Sequence, residues 1–142
     1  MNKNHSLLVV DDERNMRESL KTVLESRGTL VDTVESAEEG LAAIEASGYF
    51  MVITDARLEG MSGYDFLRET HERWPDLPVL MITAMSQRKY IDAAFAAGAS
   101  DYITKPFEIG EVHARLRLVS SLAETRRAGG IPEHHEEIAT DR

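Results

Sequence analysis

Residues 51–55 read Met-Val-Ile-Thr-Asp, a short apolar run that ends on a single carboxylate. A run of this length and composition is typical of a strand that is buried on both faces of a parallel sheet. Three further runs also end on polar side chains: residues 7–10 before Asp11 and Asp12, residues 79–82 before Thr83, and residues 102–104 before Lys105. Because the carboxyl ends of parallel strands share one edge of a sheet, where ligands bind, we expect these five side chains to form one site.

Strand-like and helix-like segments alternate five times along the chain. Strands are predicted at residues 6–10, 30–34, 49–54, 78–83 and 101–104. Helices are predicted at residues 14–27, 37–46, 64–73, 87–97 and 108–127. Ser36 and Glu39 have the spacing of a capping box at the second helix, and Tyr90, Ile91, Ala94 and Phe95 follow the helical period of the fourth. This alternation predicts an α/β fold with right-handed crossovers and a parallel sheet.

Length and composition indicate one domain. The chain has 142 residues, a net charge of −9 and no cysteine. We predict a folded domain over residues 1–127 and, after Gly129 and Gly130, a polar tail or truncated linker over residues 128–142. The acidic balance argues against direct binding to nucleic acid, and the N-terminus lacks the apolar core of a signal peptide or membrane span. We therefore expect a soluble protein in the cytoplasm that contacts neither nucleic acid nor membrane.

The predicted site combines three carboxylates, a hydroxyl and an ammonium group. Carboxylates that converge repel one another, and a hard cation such as Mg²⁺ with oxygen ligands removes this conflict. Lys105 supplies a positive charge suited to a phosphoryl oxygen, and Thr83 supplies a hydroxyl donor. A carboxylate can itself attack phosphorus and form an acyl phosphate. Asp55 is the best candidate for this nucleophile, since it stands alone after a central strand, while Asp11 and Asp12 would hold the metal.

Four motifs resemble those of response-regulator receiver domains in two-component signalling. They are Leu-Val-Val-Asp-Asp-Glu at residues 8–13, Val-Ile-Thr-Asp at 52–55, Met-Ile-Thr-Ala at 81–84 and Asp-Tyr-Ile-Thr-Lys-Pro-Phe at 101–107. Their key residues follow one another at separations of 44 (55 − 11), 28 (83 − 55) and 22 (105 − 83). The resemblance extends over residues 6–122. It implies a single doubly wound, flavodoxin-like (βα)5 domain whose five parallel strands have the order 2-1-3-4-5.

The resemblance also implies a role for each motif residue. Asp55 matches the phosphoacceptor and Lys105 the phosphoryl-binding lysine, with a cis peptide bond before Pro106. The residues that match the Mg²⁺ (or Mn²⁺) ligands are Asp11, Asp12, Asp55 and the backbone carbonyl of Arg57. The residues that match the conformational switch are Thr83, Ala84 and Tyr102. The sequence departs from the family at Glu59, where proline is common.

The resemblance implies a signalling switch and not an enzyme with an independent substrate. A sensor histidine kinase or a phosphotransfer protein would supply the phosphoryl group from a phosphohistidine. The chain would catalyse only its own phosphorylation and dephosphorylation. The output face would span residues 87–127, helix 4 to helix 5, and would control an output protein or domain outside this chain. A phosphorylation-dependent homodimer through the Gln87–Arg127 face is a further expectation.

The sequence argues against three other functions. An aspartate-nucleophile phosphatase usually has its nucleophile and a second Asp two residues apart after the first strand, whereas Asp11 is followed at that distance by Glu13. A flavodoxin-like cofactor carrier needs hydroxyls and glycines in that loop to bind phosphate, and the loop here is acidic. A phosphorylation-independent adaptor would keep only the scaffold, and the intact acids and lysine argue against it.

Overall fold

The computed structural model describes residues 5–127, with side chains up to Thr125. Across these residues the strands are β1 Ser6–Val10, β2 Leu30–Val34, β3 Met51–Thr54, β4 Val79–Thr83 and β5 Asp101–Thr104. The helices are α1 Arg14–Ser26, α2 Ala37–Ser47, α3 Gly63–Arg73, α4 Arg88–Ala97 and α5 Ile109–Arg127. The predicted alternation of five strands and five helices is confirmed. The boundary at residue 127 between domain and tail stays a prediction, because residues 128–142 lie outside the described part.

All strands of the sheet are parallel, and their order is β2-β1-β3-β4-β5. The order expected from the resemblance is therefore confirmed, and the more polar β2 lies at an edge. Val10 of β1 pairs with Thr54 of β3, and Thr83 of β4 pairs with Thr104 of β5. Val10 and Thr54 immediately precede Asp11 and Asp55, while Thr83 belongs to the predicted site and Thr104 immediately precedes Lys105. The register therefore brings the ends of the motif strands to one edge of the sheet.

The sheet separates two apolar layers. One layer lies under α2, α3 and α4 and includes Val52, Phe66 and Met81. The other lies under α1 and α5 and includes Leu24 and Ile53. The α5 side chains buried in this second layer are Val112, Leu116 and Val119, with Ile109 partly buried against it. Because β1, β3 and β4 are covered on both faces, their ends are held rigidly relative to one another.

The structure corrects one prediction about α4. Phe95 follows the apolar period of this helix but is 46% exposed, whereas Ala94 and Ala97 are buried. Small alanine side chains let a helix approach its neighbours closely, so the buried stripe of α4 is narrow. A large side chain one position beyond that stripe stays in solvent.

Two serines fix the starts of the helices near the site. Ser62 caps α3 by accepting a hydrogen bond from the Asp65 N–H, and Ser36 caps α2 by accepting one from the Glu39 N–H. The Glu39 carboxylate accepts its bond from the Glu35 N–H, one residue before the partner that a capping box requires. The predicted cap at Ser36 is confirmed, and its reciprocal partner is shifted.

None of the helices within residues 5–127 combines the length and the hydropathy needed to cross a membrane. The longest, α5, carries charged side chains along its length, including Glu111 and Arg115.

Candidate functional site

Lys105 lies between two carboxylates at the carboxyl edge of the sheet. Its Nζ donates a hydrogen bond to Oδ2 of Asp55 at 2.7 Å and lies 3.6 Å from Oδ2 of Asp11. The three side chains are 17%, 11% and 5% exposed for Lys105, Asp55 and Asp11 respectively. The peptide bond between Lys105 and Pro106 is cis, as the resemblance implies. Three of the five side chains expected to converge are therefore in contact, and all three are largely buried.

The Asp55 carboxylate is bound through both of its oxygens. Oδ2 accepts the bond from Lys105, and Oδ1 accepts a hydrogen bond from the Arg57 N–H at 3.0 Å. The Asp55 backbone N–H donates to the Val10 carbonyl at 3.2 Å, which attaches the residue to the end of β1. The carboxylate therefore has a fixed orientation, and the main chain of Arg57 lies beside it.

Asp11 is fixed by main-chain and side-chain contacts that follow β1. Its Oδ1 accepts a hydrogen bond from the Glu13 N–H at 2.9 Å. The guanidinium Nη1 of Arg17, one helical turn into α1, donates to the Asp11 carbonyl oxygen at 2.9 Å. Asp12 is exposed to solvent. The role of Arg17 was not predicted, because no local pattern in the sequence shows that an arginine of α1 folds back onto the preceding loop.

Burial makes the charges of this site costly. Burial raises the pKa of Asp11 and outweighs the Glu13 N–H and Lys105, which lower it; Asp55 and Asp12 raise it further. Burial alone would lower the pKa of Lys105, but its hydrogen bond to Asp55 and the attraction of the neighbouring carboxylates raise it overall. Lys105 therefore remains charged and partly neutralises a cluster whose negative charge it cannot balance alone.

The predicted switch residues lie on β4, on β5 and in the loop that follows β4. Thr83 is buried, and its Oγ1 accepts a hydrogen bond from the Met85 N–H at 3.4 Å. Tyr102 is also buried, and its hydroxyl donates to the Met85 carbonyl. Ala84 is exposed. The Thr83 backbone carbonyl accepts a hydrogen bond from the Lys105 backbone N–H at 2.8 Å, which joins the ends of β4 and β5. Within the described residues the Thr83 hydroxyl itself forms no hydrogen bond with Asp55 or Lys105.

The donor chemistry of this site fits a magnesium ion. Magnesium in proteins typically takes one or two carboxylates and completes its shell with carbonyl oxygens and water. Asp11 and Asp55 supply two carboxylates that approach the same ammonium group, and the buried Asp11 is disfavoured as an uncompensated anion. No three His, Cys, Asp or Glu side chains in the described part of the chain are arranged to hold a metal. Asp12 as a third carboxylate therefore stays a prediction.

A family model described as the response regulator receiver domain matches residues 7–117. The chain belongs to this family. It is 39% identical over 125 residues to the two-component response regulator PhoP of Pseudomonas aeruginosa, covering 88% of this chain and 53% of that protein. It is 37% identical over 113 residues to the KDP operon transcriptional regulatory protein KdpE of Escherichia coli, covering 80% of this chain and 50% of that protein. This receiver domain thus spans about half the length of the curated relatives it matches.

Solved structures agree with this assignment. A response regulator receiver domain protein from Methanospirillum hungatei superposes with a TM-score of 0.82 at 28% identity, covering 89% of this chain and 99% of that one. A protein from Chloroflexus aurantiacus described as a putative response regulator superposes with a TM-score of 0.79 at 36% identity, covering 84% of this chain and 99% of that one. The protein is therefore a receiver domain of two-component signalling, a family controlled by phosphorylation that generally uses Mg²⁺ at the phosphorylation site.

Proposed function

We propose that Asp55 is the phosphoacceptor of this receiver domain. The phosphoryl group would come from the phosphohistidine of a sensor histidine kinase or phosphotransfer protein, in the presence of Mg²⁺. The observation that carries this proposal is the two-sided binding of the Asp55 carboxylate, by the Lys105 ammonium at 2.7 Å and the Arg57 amide at 3.0 Å. A carboxylate held in one orientation can attack phosphorus in line, and positioning of this kind is the main contribution of a protein to phosphoryl transfer.

The transfer needs little from the protein beyond position and charge. An oxygen of Asp55 forms the new bond to phosphorus, the phosphorus–nitrogen bond breaks, and its electron pair returns to the imidazole of the donor. Negative charge develops on the phosphoryl oxygens as this happens. Lys105, which binds Asp55 at 2.7 Å, is placed to donate to one of these oxygens. The low exposure of the Lys105 and Asp55 side chains strengthens that interaction, since fewer water molecules screen it.

The metal would be held by the carboxylates of Asp11, Asp12 and Asp55 and by the backbone carbonyl of Arg57, with Mn²⁺ as an alternative to Mg²⁺. When bound, it would supply positive charge against the acidic cluster and the phosphoryl oxygens. The burial that raises the pKa of Asp11 supports this assignment, because a cation at this point favours the ionised carboxylate. Lys105 would then be released in part from its carboxylate partners toward the phosphoryl group.

Thr83, Ala84 and Tyr102 would transmit the change to the output face. Among the residues that the structure describes, the Thr83 hydroxyl accepts one hydrogen bond, from the Met85 amide at 3.4 Å, a long bond that it can exchange for one to a phosphoryl oxygen. The Met85 carbonyl also accepts a hydrogen bond from the Tyr102 hydroxyl, so movement of the loop after β4 would be transmitted directly to β5. The face affected would be Gln87–Arg127, where we place the output partner and a phosphorylation-dependent homodimer. The domain would cover residues 1–127, work in the cytoplasm and turn over no separate substrate.

Intact-protein mass spectrometry tests this proposal. The wild-type protein and Asp55→Asn are incubated with Mg²⁺ and acetyl phosphate, with and without a chelator. We expect one added phosphoryl group on the wild type, none on Asp55→Asn and none without the metal. An adduct of equal yield on Asp55→Asn would contradict the assignment of the acceptor. An unmodified wild type, tested also with a phosphorylated histidine kinase, would favour the phosphorylation-independent adaptor.

A further inference from the structure

Thr54, the residue before Asp55, is fully buried at the end of β3 but carries a hydroxyl group. Its Oγ1 donates a hydrogen bond to the backbone carbonyl of Asp55 at 3.0 Å. Valine has the same shape and would suit a buried strand position better, since it brings no polar atom into the apolar layer. The structural benefit of threonine at this position is therefore the bond to the Asp55 main chain.

The same carbonyl is also approached closely by the first residue of α3. A Cβ atom placed on Gly63 would lie 2.1 Å from the Asp55 carbonyl oxygen and 2.7 Å from Cα of Ala56. The Gly63 N–H donates to the Ala56 carbonyl at 3.0 Å. The first turn of α3 thus lies directly against the Asp55–Ala56 main chain, and only glycine permits this approach.

We propose that Thr54 and Gly63 are positioning residues. They fix the peptide group between Asp55 and Ala56 and thereby the direction of the Asp55 carboxylate. Rotation of this peptide would move the carboxylate relative to two fixed partners, the Lys105 ammonium and the Arg57 amide. The hydroxyl of Thr54 opposes the rotation through its bond, and α3 opposes it by contact at Gly63. Neither residue touches the phosphoryl group. The inference rests on the proposed function, since the position of Asp55 matters most if Asp55 is the acceptor.

Thr70 provides a matched control within the same apolar layer. It is also a fully buried threonine, but its Oγ1 has no hydrogen-bond partner among the described residues. Thr54→Val and Thr70→Val make the same chemical change at two buried sites. Only the first removes a bond to Asp55, so a difference between the two variants reports that bond and not the general effect of deleting a buried hydroxyl.

The experiment measures the rate of phosphorylation by acetyl phosphate in saturating Mg²⁺ for wild type, Thr54→Val, Thr54→Ser and Thr70→Val. We expect Thr54→Val to be about 10- to 100-fold slower, the scale of a small misplacement of a reacting group. Thr54→Ser keeps the hydroxyl and should retain most of the rate, and Thr70→Val should match the wild type. The ¹³C shift of the Asp55 carbonyl should change in Thr54→Val and not in Thr54→Ser, which a role in packing alone would not produce.

The outcomes separate this inference from the proposed function. A phosphorylated wild type with Thr54→Val at the same rate overturns the positioning role and leaves Asp55 as the acceptor. An unphosphorylated wild type overturns both. If Thr54→Val does not fold, the pair Thr54→Ser and Thr54→Ala decides, because both lack the methyl group and only serine keeps the hydroxyl. Equal phosphorylation rates for Thr54→Ser and Thr54→Ala would contradict the inference. Gly63→Ala should slow phosphorylation by a similar factor. A rate equal to that of the wild type would show that Gly63 does not position Asp55.

Discussion

The two edges of the sheet handle polar groups in opposite ways. At the carboxyl edge, Asp11 and Asp55 share one lysine, and burial raises the pKa of Asp11. At the amino edge, Arg73 stacks on Trp74 at 4.4 Å and forms ion pairs with Glu45 and Glu69, with its side chain partly in solvent. One cation serves two carboxylates at both edges, but Glu45 and Glu69 are 67% and 41% exposed, so water also solvates their charges. Asp11 and Asp55 are only 5% and 11% exposed, so the negative charge that Lys105 does not neutralise stays largely buried.

This difference indicates where function has taken precedence over stability. Charges that are buried without full compensation cost folding free energy, and such groups concentrate at functional sites. The amino edge contains satisfied contacts that hold α3 and the adjoining loop in place. The carboxyl edge contains a deficit of positive charge that a metal ion and a phosphoryl-transfer partner would change. Substitutions at the two edges should therefore affect stability and phosphorylation in different proportions.

The largest effect is expected for Lys105→Met. This change removes the ammonium group that binds Asp55 at 2.7 Å and approaches Asp11 at 3.6 Å. We expect the rate of phosphorylation by acetyl phosphate to fall about 100-fold, the scale seen when one donor to a developing anion is deleted. A rate within a factor of two of the wild type would show that the two edges do not differ in the way described.

Asp11→Asn should stabilise the metal-free protein. The pKa of Asp11 in the folded protein is raised above its ordinary value of 3.8, so this group favours folding most below that pH. Its contribution is lost as the pH rises through the folded value. At pH 7 we expect the free energy of unfolding of the variant to be about 1 kcal/mol higher than that of the wild type, which corresponds to a Tm roughly 4 °C higher. Thermal unfolding in the presence of a chelator measures this difference.

The same variant gives a second test through Mg²⁺. Addition of Mg²⁺ should raise the Tm of the wild type and leave that of Asp11→Asn nearly unchanged, because ligand binding to the folded state stabilises it. A variant that is less stable than the wild type in chelator at pH 7 would contradict the charge deficit proposed for the carboxyl edge.

Near the amino edge, Tyr49→Phe should lower stability without affecting phosphorylation. The Tyr49 hydroxyl donates to Oδ2 of Asp32 at 2.8 Å, and burial, together with this carboxylate, raises the pKa of the tyrosine. We expect the variant to lose about 1 kcal/mol at pH 7 and to be phosphorylated at the wild-type rate. A slower phosphorylation of this variant would argue that the two edges are coupled.

The pH dependence of Tyr49→Phe has a defined sign. Because the folded pKa of Tyr49 is raised, its stabilising contribution is complete below the ordinary tyrosine value of 10.0 and is lost as the pH rises above it. The difference in Tm between wild type and variant should therefore shrink between about pH 9 and pH 11. A constant difference over this range would contradict the role of the hydroxyl.

The smallest effect is expected for Arg88→Ala on the surface of α4. The Arg88 Nε lies 3.1 Å from Oδ1 of Asp92 one turn later, and both side chains are exposed. Exposed pairs of this type contribute less than about 0.5 kcal/mol and are screened by salt. Urea unfolding should detect little change, and phosphorylation should be unaffected. A loss of phosphorylation would show that this exposed pair on α4 influences the phosphorylation site.

The sequence was sufficient to predict the elements and the edge of the sheet at which polar residues gather. Apolar runs and helical periods depend on burial, and burial is what the fold imposes on the chain. Phe95 was misplaced because a helical period does not reveal how wide the contact surface of a helix is. The strand order came from the resemblance, since alternation alone does not determine which parallel strands are neighbours.

The contacts around Asp55 could not be predicted in the same way. Thr54 looks like an ordinary β-branched strand residue, and its bond to the next carbonyl depends on the side-chain rotamer. Gly63 looks like a loop glycine, and the contact with Asp55 depends on the angle at which α3 meets the sheet. The Arg17 bond to Asp11 likewise requires α1 to pack over β1. Each of these three contacts depends on tertiary geometry that the local sequence does not specify.

Reductive trapping tests the central claim most directly. The protein is phosphorylated with acetyl phosphate and Mg²⁺ and treated with borohydride, which converts an aspartyl phosphate to homoserine, and the product is mapped by peptide mass spectrometry. Assignment of Asp55 as acceptor predicts homoserine at position 55 and none in unphosphorylated protein. Homoserine at Asp11 or Asp12 instead, or a phosphorylated protein that yields no homoserine at position 55, would contradict it.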